Sequence, residues 1–155
     1  MYHKIMVPLD GSELAECVLP HVEAIATGCR VVDVVFVRAL EPIWLPVGEG
    51  RGVFSDEDLR RMSSEQKAST ENYLNQIVKR LNYEGANIQT QVLEGKAAES
   101  LAEYADKNGV DLVIISTHGR SGISRWVSGS VADRILRSAC VPVLMVRAPG
   151  CVPGI

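Results

Sequence analysis

Short apolar runs alternate with stretches of helical periodicity along this chain, and most runs end at glycine, proline or a small polar residue. Ile5 to Leu9 is the first run, stopped by Asp10-Gly11, and predicts a buried strand. From Glu13 to Ala26 the positions Leu14, Cys17, Val18, His21, Val22 and Ile25 fall at helical spacing. Gly28 is the expected stop, and Pro20 is expected to bend the helix. Val31 to Val37, continuous in β-branched and aromatic residues, predicts the second strand. Between Leu40 and Ser55 the pattern breaks, where Pro42, Pro46, Gly48, Gly50 and Gly52 mark a long irregular connection. Connections of that length inside a compact domain are usually functional or mobile.

Asp56 to Asn82 predicts a long polar helix with an apolar stripe of Leu59, Met62, Tyr73, Leu74, Ile77, Val78 and Leu81. Ile88 to Leu93 alternates, as a third strand near an edge would. Ala97 to Lys107 reads as a helix with Leu101, Tyr104 and Ala105 inward. Asp111 to Ser116 holds the most apolar strand, which places it centrally. Ser130 to Ser138 predicts the last helix, and Val143 to Val146, entered through Pro142, the last strand. Strands and helices in alternation imply an α/β fold: a single open parallel five-stranded sheet, Rossmann-like, with right-handed crossovers and helices on both faces. Such sheets bind ligands at the carboxyl ends of strands, near the point where strand order reverses. Two loops qualify, Leu9-Asp10-Gly11-Ser12 and Thr117 to Ser128.

Composition narrows the picture. A chain of 155 residues, 46% hydrophobic, buries one substantial core, so residues 1–148 are expected to form a single domain followed by a short tail, 149–155. A net charge of −3 supplies no general basic field, which argues against nucleic acid as a partner. Cys17, Cys29, Cys140 and Cys151 show no metal-ligand spacing and read as reduced thiols, Cys17 and Cys140 as small core side chains and Cys151 as exposed. No apolar run approaches membrane-spanning length and the N-terminus lacks a signal-peptide core, so the expectation is a cytoplasmic protein without a membrane partner.

The densest chemistry lies in Ile114-Ile115-Ser116-Thr117-His118-Gly119-Arg120-Ser121-Gly122, followed by Gly129-Ser130-Val131. A buried strand enters a glycine-bearing loop, and a second Gly-Ser opens a helix. Unpaired backbone N–H groups and the positive end of the helix dipole converge there, which suits a phosphate. Arg120 is placed to reach it, and Lys96 and Arg125 read more simply as surface charge. There is no GxxxxGK[ST] loop, and Gly48-Glu49-Gly50-Arg51-Gly52 is no dinucleotide fingerprint. His118 has no recognisable nucleophile to activate and no carboxylate to orient it, so it reads as a pocket-lining residue. Asp10 with Glu13, and Ser130 with Asp133, also fit helix N-capping pairs that need no ligand.

Val7-Pro8-Leu9-Asp10-Gly11-Ser12, Ser116-Thr117-His118-Gly119 with nine residues before Gly129-Ser130, and the ending Val141-Pro142-Val143-Leu144-Met145-Val146 together resemble the universal stress protein family. The likeness spans almost the whole chain. It implies the adenine-nucleotide α-hydrolase-like arrangement, strand order 3-2-1-4-5, and a homodimer, with some members binding ATP. Carried over by position, Asp10 would contact the ribose or adenine, with Pro8 and Leu9 flanking the base and the Val37 backbone at the adenine edge. Gly119, Gly129, Ser130 and Val131 would hold the phosphates. Ser12, Ser116, His118 and Arg120 complete the expected nucleotide site.

One position departs from the family motif Gly-x2-Gly-x9-Gly-Ser/Thr: its first glycine is Ser116 here. A position needing positive φ or close backbone approach would be obstructed by serine, and one needing only a small residue would accept it. The expected function is an ATP-binding regulatory stress protein, with Mg²⁺ or Mn²⁺ accompanying the phosphates and no dedicated metal ligands. The alternative is a nucleotide-independent dimeric interaction protein, paired through the exposed edge of Val143 to Val146. A slow ATPase ranks last, for want of a base, an activated nucleophile or a metal cage.

Overall fold

The computed structural model describes residues 2–42, 55–81, 85–117 and 131–147. Along them run β1 (Lys4–Pro8), α1 (Glu13–Glu16), α2 (Leu19–Cys29), β2 (Asp33–Leu40) and α3 (Asp56–Arg80). Then follow β3 (Asn87–Glu94), α4 (Ala97–Lys107), β4 (Leu112–Ser116), α5 (Val131–Ser138) and β5 (Val143–Val146). All neighbouring strands pair in parallel, in the order β3-β2-β1-β4-β5.

Period-two alternation splits the strands between two cores. On one face Ile5, Val7, Val34, Phe36 and Ile114 meet Val18 and Val22 of the α1–α2 segment and Leu74 and Ile77 of α3. On the other, Met6, Val35, Val37, Val113 and Ile115 meet Leu101 and Ala105 of α4 and Ala132 and Ile135 of α5. Helices therefore cover both faces. The strand order reverses between β1 and β4, which puts α3 and α4 on opposite sides as right-handed crossovers require.

Several boundaries differ from the periodicity. The helix expected over Glu13 to Ala26 is two helices, and the chain breaks before Pro20 because proline belongs in a helix's first turn, where α2 holds it. Gly28 lies inside α2 rather than ending it. The stop is Arg30, in the left-handed region at φ 53°, whose N–H bonds the carbonyls of Ala26 and Thr27. Val31 then plugs the core at 1% exposure instead of starting β2. β2 runs on to Leu40 because β3 pairs with it as far as Glu94. The centre of the sheet is β1; β4 lies beside it, fully buried. Cys17 is half-buried and packs against the first core, Cys140 is exposed rather than a core side chain, and Cys151 lies outside the described residues.

Candidate functional site

The carboxyl ends of β1 and β4 come apart. β1 and β2 run in register from Lys4 with Asp33 to Pro8 with Val37, and β4 and β5 from Val113 with Val143 to Ser116 with Val146. Between β1 and β4 only Ile5 with Leu112 and Met6 with Val113 pair. Pro8 supplies the physical reason. In a parallel strand a residue's N–H and C=O point to the same neighbour, and successive residues alternate. The Lys4 carbonyl accepts from Asp111 on the β4 side, whereas Leu9 N donates to the Val37 carbonyl on the β2 side, at 2.9 Å each. Position 8 therefore faces β4, where proline has no donor to give. The ladder between β1 and β4 is thus left open beyond Met6, at the switch point where open α/β sheets bind their ligands.

The β1–α1 turn stands on one side of the switch point. Gly11 takes φ +86°, which glycine adopts without steric cost. Asp10 Oδ1 accepts from Ser12 N at 2.9 Å and from Ser12 Oγ at 2.6 Å. Ser12 Oγ in turn accepts from Ala15 N at 3.2 Å. The cap of α1 is thus Ser12, and the capping role expected for Asp10 with Glu13 is not the one adopted. Asp10 instead holds the turn through Ser12.

Ser116 ends β4 on the other side. Its hydroxyl accepts from Cys17 Sγ at 3.6 Å, joining β4 to the end of α1, and the residue is buried at 7% exposure. Among the described residues Arg30 is the non-glycine with positive φ, so Ser116 keeps an ordinary strand backbone. Serine meets no conformational penalty there.

Pro8, Leu9, Asp10, Ser12 and Val37 are thereby brought side by side, and Ser116 ends the neighbouring strand β4. The Val37 side chain is fully buried, and its carbonyl already holds Leu9. Val131 opens α5 with its side chain exposed. His118, Gly119, Arg120, Gly129 and Ser130 lie outside the described residues, as does the expected Ser130–Asp133 capping pair.

Three residues near the turn, Arg38, Glu16 and Arg80, are not singled out by the sequence pattern, and they gather around Tyr73 of the α3 stripe. Arg38, on the β2 face shared by Val34 and Phe36, lies with its Cζ 5.6 Å from the Tyr73 ring centroid. The Tyr73 hydroxyl donates to Glu16 Oε1 at 3.2 Å, and Arg80 Nη2 bonds Glu16 Oε2 at 2.7 Å. Burial, then the Glu16 carboxylate, push the Tyr73 phenol well above its ordinary range. The available signal was parity: a lone arginine on the core face of an apolar strand, at its carboxyl end.

The universal stress protein family model matches residues 1–147. The chain belongs to the universal stress protein family. Universal stress protein MJ0531 of Methanocaldococcus jannaschii is 32% identical over 151 residues, spanning 96% of this chain and 84% of that protein. The solved structure of protein MJ0577, from the same organism, superposes with a TM-score of 0.80 at 26% identity, covering 97% of this chain and 99% of that one. A family member from Archaeoglobus fulgidus, solved in complex with dAMP, has a TM-score of 0.57 at 26% identity over 93% of this chain and 97% of that one. The fold is the family's adenine-nucleotide α-hydrolase-like sheet, in the order expected.

Proposed function

We propose that residues 1–148 form one adenine-nucleotide-binding domain, followed by the tail 149–155, and that nucleotide occupancy is the signal this cytoplasmic stress protein reads. The observation that carries this is the early end of β1–β4 pairing before Pro8, at the switch point between the Asp10 turn and Ser116. The relative solved with dAMP supports the adenine class. Pro8, Leu9 and the Val37 backbone flank the base in this reading, and Asp10 and Ser12 line the ribose side. Gly119, Gly129, Ser130 and Val131 carry the phosphates at the start of α5, where the helix dipole favours anions, with His118 and Arg120 beside them. ATP is the proposed ligand. Mg²⁺ or Mn²⁺ would arrive on its phosphates. The free thiols of Cys17, Cys29 and Cys140 fit a reducing compartment.

Isothermal titration with ATP tests the proposal. Wild-type protein is expected to bind, and Gly129→Trp, which fills the space a phosphate needs, to weaken binding by about tenfold or more. Wild-type protein that takes up no nucleotide overturns it. Mass spectrometry of ligand released from freshly purified, denatured protein would identify the nucleotide.

A second reading, a dimeric interaction protein that works without nucleotide, is favoured by one observation. Leu144 on edge strand β5, and Leu136 and Val131 on neighbouring α5, are exposed large apolar side chains. The two readings share the dimer and differ in whether nucleotide matters. Turnover of ATP is not proposed.

A further inference from the structure

Arg38 has no task in the nucleotide site as drawn so far. Below it on the same strand face, Val34 and Phe36 are fully buried, yet Arg38 brings a permanent charge to the top of that layer. Its guanidinium packs into a notch in the β1–α1 turn. A Cβ on Gly11 would fall 2.6 Å from Arg38 Nη1 and 3.0 Å from Cζ, so any side chain there would push the guanidinium out of its present seat. On its other flank the Tyr73 ring lies at cation–π range, at 5.6 Å. Tyr73 is itself held by its hydrogen bond to Glu16, and Glu16 by Arg80. The guanidinium is thus braced by α3 and pressed against Gly11.

The turn it presses on presents Asp10. Gly11 is the residue between the Asp10 carboxylate and the Ser12 N–H and hydroxyl that the carboxylate accepts. Asp10 and Arg38 both act on the Tyr73 hydroxyl, one raising and one lowering its pKa, which fits their shared place at this corner. A flat, delocalised cation stacks on a ring and lies along a glycine backbone, which the compact ammonium of lysine does not do.

We infer that Arg38 is a positioning residue that sets sugar specificity: by filling the Gly11 notch it fixes the Asp10 carboxylate where it meets the ribose hydroxyls. The inference rests on the nucleotide reading above, which gives Asp10 the ribose. A ligand without those hydroxyls forgoes the bond to Asp10, and hydrogen bonds to charged groups are worth about tenfold to a hundredfold in affinity.

The experiment compares wild type, Arg38→Met and Arg38→Lys by titration with ATP and with 2′,3′-dideoxy-ATP, together with amide hydrogen exchange at Ser12 in the nucleotide-free proteins. Wild type is expected to favour ATP by about tenfold or more. In Arg38→Met that ratio collapses, through weaker ATP binding at unchanged dideoxy-ATP binding, and the Ser12 amide exchanges faster. Arg38→Lys keeps the charge without restoring the ratio. Equal weakening of both nucleotides, or an unchanged ratio, overturns the inference. Wild-type protein that binds neither nucleotide overturns the nucleotide reading itself. A Ser12 amide that exchanges alike in wild type and Arg38→Met overturns the role of Arg38 whatever the titrations show.

Discussion

Gly11 carries two constraints at one residue, a positive φ and the Arg38 guanidinium at its Cβ position. Gly11→Ala is expected to cost more than about 1 kcal/mol in urea unfolding, because alanine resists φ +86° and also meets the guanidinium. Placed in an Arg38→Ala background, the same substitution should cost less, since only the backbone part remains; an equal cost would show that the two residues do not touch. Asp111 makes a different kind of residue-scale statement. Its Oδ2 accepts from His3 N at 2.6 Å and Lys4 N at 2.7 Å, and those two backbone bonds, Lys4 first, hold its pKa below the ordinary carboxylate range. A carboxylate with a depressed folded-state pKa stabilises above its unfolded value and loses that contribution as pH falls through the folded value. Asp111→Asn should therefore unfold at lower urea than wild type at neutral pH, with the gap closing below about pH 4. A gap independent of pH would exclude the linkage. At this scale the strand end at Pro8 and the turn at Asp10-Gly11 were legible, because strand ends and turn residues announce themselves locally, whereas the cap fell to Ser12 rather than to Asp10 with Glu13. Whether Ser116 obstructs was not, since that depends on a backbone dihedral. Arg38 acquires its meaning only from Tyr73, far along the chain.

At the scale of elements, periodicity identified all five strands and most of the buried helix positions, though His21 of the first helical pattern is exposed, while element ends answered to tertiary contacts. β2 outruns its apolar stretch because β3 continues to pair with Arg38, Ala39 and Leu40. Gly28, the residue best suited to end α2, was bypassed by Arg30 because Val31 has to reach the core. The long helix α3 shows the same logic from its other side. It is charged over most of its surface, and its buried residues are Thr70, Leu74 and Ile77. So narrow a contact concentrates the packing energy in few side chains. Leu74→Ala is expected to cost about 2–5 kcal/mol in chemical denaturation, with Met62→Ala, only half-buried, costing distinctly less. Similar losses at the two positions would mean that α3 packs along its whole length rather than at its carboxyl half. Tyr73, next to Leu74, links this anchor to Arg38, so an α3 loosened at Leu74 should also loosen the Asp10 turn.

For the whole molecule, the two edges of the sheet are unlike, and that difference decides how copies would meet. The β3 edge exposes Asn87, Gln89, Thr90 and Gln91, a polar surface poorly suited to pairing. The β5 edge has Leu144 exposed on one face of the sheet and Leu136 exposed on α5 over the other. An apolar edge with no further strand beside it among the described residues invites a second strand, and a two-fold axis beside β5 would set each copy's edge against its mate. Leu144→Glu should then convert a dimer to monomer in sedimentation velocity at micromolar concentration, since the symmetry places two new carboxylates near each other in a desolvated seam. Gln89→Glu, on the opposite edge, should leave association unchanged. With the proposed nucleotide site between β1 and β4, away from β5's outer edge, Gly129→Trp should weaken ATP binding by about tenfold or more without dissociating the dimer. A wild-type monomer at these concentrations, or a Leu144→Glu protein that still dimerises, would exclude β5 as the interface. A dimer that forms only with ATP present would instead make assembly itself the output of nucleotide binding.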